Sequence, residues 1–512
     1  MSDLAQLLVP ALRWDPEHGF ANARETIDPA LAAGVGGFII FGGNVGAVAE
    51  LTTYLHQNAR FPLLVMSDLE RGAGQQFQGA TGLPPLGALG AADDEGLTRA
   101  AARLTAREGA ALGIRMILAP VADVDLNPAN PIVGTRAFGT SAAHVARHVR
   151  DWIDECQREG AMACAKHFPG HGRTATDSHS ELPVVDATEA ELIAHDLLPF
   201  REAIEAGVAA IMTAHVAYPA LDYLRSPATL SRRILRTLLR NRMGFEGLVL
   251  TDAMIMSGVL GDGDEGKAGV RALDAGCDVL LYPENVDGVQ RALEEGVRGR
   301  TLSLRELDRS LERRHRAAAW SAAQAKAGAI TDRERDAVRA LCDSAVQVAR
   351  GDVPEIRGVL DVIIVDDDVG GPYPPPSRAP LHAALGEAGF DVQVVHEATP
   401  RVERADADET GPDAPPALPT LRDRLRPSST VVVFAFNDIR AWKGTPGFSD
   451  GARTAIQHVV LESREMGREA IVVLLAHPRL AADLGEARLV VSAWGGERPM
   501  QLAVARWLAG RR

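Results

Sequence analysis

Short apolar runs of strand length recur along the first part of the chain, at residues 9–12, 37–41, 63–68, 116–124, 162–167, 210–215, 248–252 and 278–282. Longer amphipathic segments rich in Ala, Leu, Glu and Arg separate them. This alternation is the mark of repeated βα units, and eight runs within 300 residues predict a (β/α)8 TIM-like barrel rather than an open doubly wound sheet. No GxGxxG follows the first run, which weakens a dinucleotide-binding reading. The pattern divides the chain into a catalytic barrel over 1–300, a charged helical connection over 301–350 that wraps the barrel or joins two domains, and a C-terminal unit over 351–512. In that last unit, strand candidates at 359–365, 430–434, 470–475 and 489–493 alternate with helices such as 451–466, so a smaller α/β sandwich is expected. The overall class is α/β. Two loops of the second unit, 366–380 and 396–427, are rich in Pro, Asp and Arg and read as mobile.

Composition narrows the partners. The chain has 512 residues, with 54 Lys and Arg against 68 Asp and Glu, a net charge of -14 that weighs against nucleic acid as a ligand. The four cysteines are scattered without CxxC spacing and are expected to be buried free thiols. The N-terminus lacks a basic and apolar leader, and no apolar stretch is long enough to cross a bilayer, so a cytoplasmic protein without membrane contact is expected.

Polar residues gather where a barrel builds its active site, at the C-terminal ends of strands and in the loops that follow. The third run ends in Asp68, the fifth in Lys166-His167, the sixth in His215 and the seventh in Thr251-Asp252, while a Pro- and Gly-rich loop after the fourth carries Arg136. A single aspartate at a strand end is an ordinary helix cap. Several converging ends are not. The loop 166–179 packs a lysine, an aspartate and three histidines around Pro169, Gly170 and Gly172, which forbid regular structure. Residues two apart in an extended segment share a side, so Asp177 and His179 can form a dyad in which the carboxylate fixes one imidazole nitrogen and the other moves a proton. Asp252 closes a buried run and is a candidate nucleophile. Asp68, Arg136, Lys166, His167 and His215 supply donors and acceptors suited to a small ligand with many hydroxyls. His171 is expected to brace the loop, and Glu70 and Arg71 receive no role.

Lys166-His-Phe-Pro-Gly-His-Gly172, Asp177-Ser-His179 and Thr251-Asp252-Ala-Met254 together resemble glycoside hydrolase family 3, and within it the β-N-acetylglucosaminidase (β-N-acetylhexosaminidase) branch. The segments 127–139 and 212–216 extend the resemblance over about residues 30–290. It implies a retaining exo-glycosidase in which Asp252 is the nucleophile, His179 the acid/base held by Asp177, and Asp68, Arg136, Lys166 and His167 bind the sugar. The family's larger members carry an α/β sandwich after the barrel. No cofactor or metal is implied; the partner is a small carbohydrate, drawn from cell-wall fragments, chitin oligomers or glycoconjugates. The stretch Asp68-Leu-Glu-Arg-Gly-Ala-Gly-Gln-Gln76 departs from the usual Asp-Gln-Glu-Gly-Gly-Arg and leaves the neighbouring subsite open. The alternatives are a phosphorolytic enzyme taking phosphate as acceptor, a β-glucosidase-like member, and a metal-dependent barrel hydrolase. The last is opposed by the absence of paired histidines on the first strand.

Overall fold

The computed structural model describes residues 3–260, 263–324, 328, 330–356, 358–368, 376–398, 421–439 and 443–510. Residues 369–375 and 399–420, which make up much of the two loops read as mobile, lie outside the described residues.

The first unit is a closed parallel barrel. Its strands are β1 (Leu8–Val9), β2 (Ala11–Arg13), β3 (Gly37–Phe41), β4 (Leu64–Ser67), β5 (Met116–Ile117), β6 (Met162–Phe168), β7 (Ala210–Thr213), β8 (Leu248–Leu250) and β9 (Leu280–Leu281). β2 to β8 pair in sequence order, each parallel to the next. Pro10 has no N–H to donate and splits the first predicted run into β1 and β2, yet its carbonyl accepts from Ile39 N at 3.0 Å. Closure comes from the parallel pairing of β1 with β9 and the bridge between Leu250 and Val279, reinforced by Thr251 N to Val279 O at 3.0 Å. The eight predicted runs are therefore the eight staves of the barrel.

Alternate residues of these strands face two cores. Val9, Ile39, Met66, Met116, Met162, Met212 and Leu250 fill the barrel interior. Phe38, Ile40, Val65, Ile117, Ala163, Ile211 and Val249 point outward beneath the helices. Burial on both sides is why each strand reads as an unbroken apolar run.

The helix Leu304–Ala323 closes the N-terminal end. Ala318 joins the interior cluster, and fully buried Arg314 donates to Gln6 Oε1 at 3.0 Å, Gly36 O at 2.8 Å and Pro62 O. The carboxyl end of the staves stays open. The next helix, Asp332–Ser344, packs on Glu95–Ala111 of the barrel and Arg498–Ala509 of the second unit.

The second unit is a six-stranded sheet made of β10 (Gln347–Arg350), β11 (Val359–Asp366), β12 (Asp391–Ala398), β13 (Thr430–Asn437), β14 (Ile471–Ala476) and β15 (Leu489–Ser492). Its order is β10-β15-β14-β13-β11-β12, parallel except for β10. The four expected strands are present. β10 and β12 are edge strands outside that expectation: β10 is short and largely exposed, and β12 mixes polar with apolar residues, so neither writes the unbroken apolar run of a central strand. Val432, Phe434 and Phe436 face a core continuous with the barrel's outer layer, whereas Val431, Val433 and Ala435 meet the helix Asp450–Glu465.

Candidate active site

The open end of the barrel leads into a cavity of about 730 Å³, large enough for a sugar and part of its neighbour. Asp68, Arg136, Lys166, His167, His179 and Asp252 all line it. Asp177 and His215 do not, and stand behind the wall.

The loop after β6 is held by a residue that the sequence reading passed over. Asp123 is fully buried at the end of the fourth run, and its Oδ1 accepts from the backbone N of His167 (3.2 Å) and His171 (2.6 Å). Its Oδ2 lies 2.7 Å from His167 Nδ1, which fixes the ring and turns Nε2 toward Asp252 Oδ2, 4.0 Å away. The signal was a lone carboxylate inside an otherwise apolar stretch. Gly172 carries the same loop against the chain after β5, where a Cβ would come within 1.6 Å of Val124 O. No larger residue fits that approach.

Within the loop, His171 is buried with Nδ1 2.9 Å from Thr174 Oγ1 and Nε2 3.0 Å from Ser178 Oγ. Burial pulls its pKa down to about 4, so it is a neutral brace. His179 Nδ1 lies 2.6 Å from Asp177 Oδ1, which also accepts from the His179 backbone N at 2.9 Å. The loop then docks on the segment following the nucleophile candidate, with Gly258 N donating to Ser178 O at 3.1 Å. The dyad and Asp252 thus share one scaffold.

Asp252 follows β8, and its Oδ1 accepts from Ala253 N at 2.8 Å. Burial pushes its pKa up, but the fields of His167, His215 and His179 together with the Ala253 N–H outweigh it and hold the carboxyl at about 2. His215 is fully buried: Nε2 donates to Ala253 O at 3.1 Å and Nδ1 lies 2.7 Å from Thr229 Oγ1. It props the Ala253 carbonyl, next to the nucleophile candidate, from below.

Opposite lies a charge network. Lys166 Nζ, nearly inaccessible, reaches Asp68 Oδ1 at 2.6 Å and Glu70 Oε1 at 2.7 Å, while Glu70 takes a two-point contact from Arg136 at 2.9 and 2.7 Å. Burial disfavours the charges, yet Arg136 and Lys166 hold the Glu70 carboxyl well below its usual range, and Asp68 and Glu70 raise Lys166. Glu70 was legible in principle, because two residues after Asp68 in an extended segment it shares that residue's side.

Trp14, Phe41 and Tyr282 form an apolar shelf on the remaining wall, with the Arg13 guanidinium 4.3 Å from the centre of the Phe41 ring. The second unit reaches the rim. Ile439 lines the cavity, Glu497 pairs with Arg71, and Asp125 accepts from Arg479 Nη2 at 2.5 Å.

Residues 2–317 match the family described as "Glycosyl hydrolase family 3 N terminal domain". The chain belongs to glycoside hydrolase family 3. It is 33% identical over 386 residues to a protein of Cellulomonas fimi named beta-N-acetylglucosaminidase/beta-glucosidase, covering 70% of this chain and 68% of that one. A beta-hexosaminidase of Thiobacillus denitrificans is 38% identical over 273 residues, covering 51% and 75%. A family 3 beta-N-acetylglucosaminidase structure from Paenibacillus sp. str. FPU-7 superposes with a TM-score of 0.84 at 29% identity, covering 100% of this chain and 96% of that one. As a family 3 member the chain is a glycoside hydrolase with a carbohydrate substrate, and its barrel followed by an α/β unit is the two-domain arrangement expected above. Among the described residues, no helix is long and apolar enough to cross a membrane.

Proposed function

We propose that the protein is a retaining exo-β-N-acetylglucosaminidase, and that Asp252 forms a covalent glycosyl intermediate. The observation that carries this reading is that an ionised Asp252 and the Asp177-held His179 open onto one cavity with the Lys166–Asp68–Glu70–Arg136 network. Asp252 attacks the anomeric carbon while the His179 imidazolium gives its Nε2 proton to the departing oxygen. In the second step His179 takes a proton from the acceptor as that acceptor displaces Asp252. Asp177 holds the ring and supports its cation. Asp68, Lys166, Arg136 and His167 bind and orient the sugar hydroxyls. The names of the curated relatives support N-acetylglucosamine as the sugar removed. Four buried cysteines without a disulfide favour a reducing, cytoplasmic setting, in which imported cell-wall fragments are a natural source of substrate.

The test is hydrolysis of p-nitrophenyl β-N-acetylglucosaminide beside the β-glucoside, for wild type and Asp252→Ala. Preference for the N-acetyl sugar and loss of turnover in the variant are expected; unchanged turnover in the variant would overturn the mechanism. The acid/base residue favours a second reading, in which phosphate replaces water. A neutral imidazole repels an incoming anion less than a carboxylate does, and Arg13 and Arg71 bring further positive charge to the cavity lining. Under that reading, added phosphate yields N-acetylglucosamine 1-phosphate.

A further inference from the structure

Away from the cavity, three side chains converge on the outside of the barrel. Asp93 ends the helix Leu86–Ala92, and His144 and His148 stand one turn apart on the helix Ala142–Arg158. None of the three lines the active-site cavity. Asp93 Oδ1 lies 3.4 Å from His144 Nδ1 and 3.6 Å from His148 Nε2, and the three ligand atoms all fall within 4.8 Å of one another. Around a tetrahedral ion with bonds of about 2.0–2.1 Å, ligand atoms stand roughly 3.3 Å apart, so the first two separations need only small adjustments.

The outer contacts of the two imidazoles are those a metal site requires. His144 Nε2 donates to Gly90 O at 3.0 Å, which leaves the lone pair on Nδ1, the atom that faces Asp93. His148 Nδ1 lies 2.8 Å from Thr98 Oγ1, and its ring is stacked on Phe138. A carbonyl or hydroxyl on the far nitrogen, and a packed ring, are what orient ligating histidines. His148 is 1% exposed, and no described residue hydrogen-bonds its Nε2, although the atom is aimed at the Asp93 carboxylate. Thr98 can accept from Nδ1–H, and in that tautomer the buried Nε2 offers a lone pair with no donor beside it, the arrangement that a cation completes.

One cation already borders the site. Arg147 Nη2 donates to Asp93 Oδ1 at 3.0 Å and to His144 Nδ1 at 3.2 Å, the same two atoms that would ligate an ion. Its side chain is 52% exposed and Asp93 is 58% exposed, so the guanidinium can swing into water and an ion can enter from solvent.

We propose that Asp93, His144 and His148 bind one Zn²⁺ or a similar borderline divalent ion, in competition with Arg147. Two imidazoles and one carboxylate favour zinc, cobalt, nickel or copper over magnesium or calcium, which prefer all-oxygen shells. The site is structural. It would tie the helix Leu86–Ala92 to the helix Ala142–Arg158, between which the strand-end loop carrying Arg136 passes; Gly90 is so close to that loop that a Cβ would lie 1.7 Å from Phe138 O. Its position outside the cavity separates it from any metal-dependent hydrolysis.

The test uses the full chain, stripped with chelator and titrated at neutral pH with Zn²⁺ by calorimetry and with Co²⁺ by visible absorption. One ion per chain, the intense visible bands of a four-coordinate cobalt site and a raised Tm are expected. His144→Gln and Asp93→Asn should each weaken binding by at least about tenfold while leaving basal turnover unchanged. Arg147→Ala should tighten binding about threefold, which a merely adventitious surface site would not do. Absence of binding overturns the proposal. So does binding that survives His144→Gln and Asp93→Asn but is lost in His179→Gln, which would place the ion at the catalytic dyad.

Discussion

Asp123 Oδ2 and His167 Nδ1 are 2.7 Å apart, and this contact leaves His167 Nε2 directed at Asp252. A carboxylate inside the barrel wall therefore sets the ring that faces the nucleophile candidate. Asp123→Asn keeps an oxygen for the loop's backbone N–H groups but removes the charge behind the imidazole. We expect kcat/KM to fall about 10- to 100-fold with the fold retained, as measured by steady-state hydrolysis and circular dichroism. Undiminished turnover would reduce Asp123 to a loop anchor.

His179→Ala removes the proton donor and leaves Asp252 ionised at neutral pH, since the fields of His167 and His215 and the Ala253 N–H still favour its carboxylate. Glycosides with poor leaving groups should lose about 10²- to 10⁴-fold in rate. Dinitrophenyl glycosides, whose leaving group needs no proton, should show a burst of phenolate followed by slow turnover. Equal losses on both substrates would remove His179 from the acid role.

Glu70→Gln strips Lys166 and Arg136 of their shared counter-ion inside a buried network. Breaking such a network from one side costs about 3–5 kcal/mol. A clear fall in Tm and a raised KM are expected together. A variant with wild-type Tm and KM would show that solvent screens these charges.

Asp196 ties Arg173 of the catalytic loop at 2.9 Å, and burial, only partly offset by that arginine, lifts its pKa to about 6. A carboxyl whose folded pKa exceeds its unfolded value of about 3.9 stabilises the fold fully below that value, and the contribution is lost as pH rises through about 6. A shift of about two units corresponds to roughly 3 kcal/mol. The Tm of Asp196→Asn should therefore gain on wild type between pH 4 and pH 7. A constant difference would mean that the Arg173 pair compensates for burial.

Gly172→Ala drives a methyl into Val124 O. The loop must shift, and with it the Lys166 to His179 constellation. We expect turnover to drop by at least about 10²-fold, with a smaller change in Tm, because the strain falls on a loop above the barrel rather than on its core.

The eight staves were legible because burial on both faces writes each as a continuous apolar run, and the strand ends named most of the cavity wall directly. Asp68, Lys166, His167, Asp252 and the two-residue spacing of Asp177 and His179 are local features, set by positions near one another in the chain. What escaped were partners brought together by closure of the barrel. Asp123 reaches His167 across 44 residues, and Glu70 meets Arg136 across 66. His215 reads as a cavity residue by position, yet its ring turns inward to Thr229 and Ala253. The edge strands β10 and β12 lack the continuous apolar run of the central strands and become strands only by pairing with β15 and β11. Period and spacing along the chain thus determine which residues stand at the mouth of the barrel. Which charge faces which, and which ring turns inward, is decided by long-range packing, since the cost of burying an unpaired charge is settled only once every neighbour is in place.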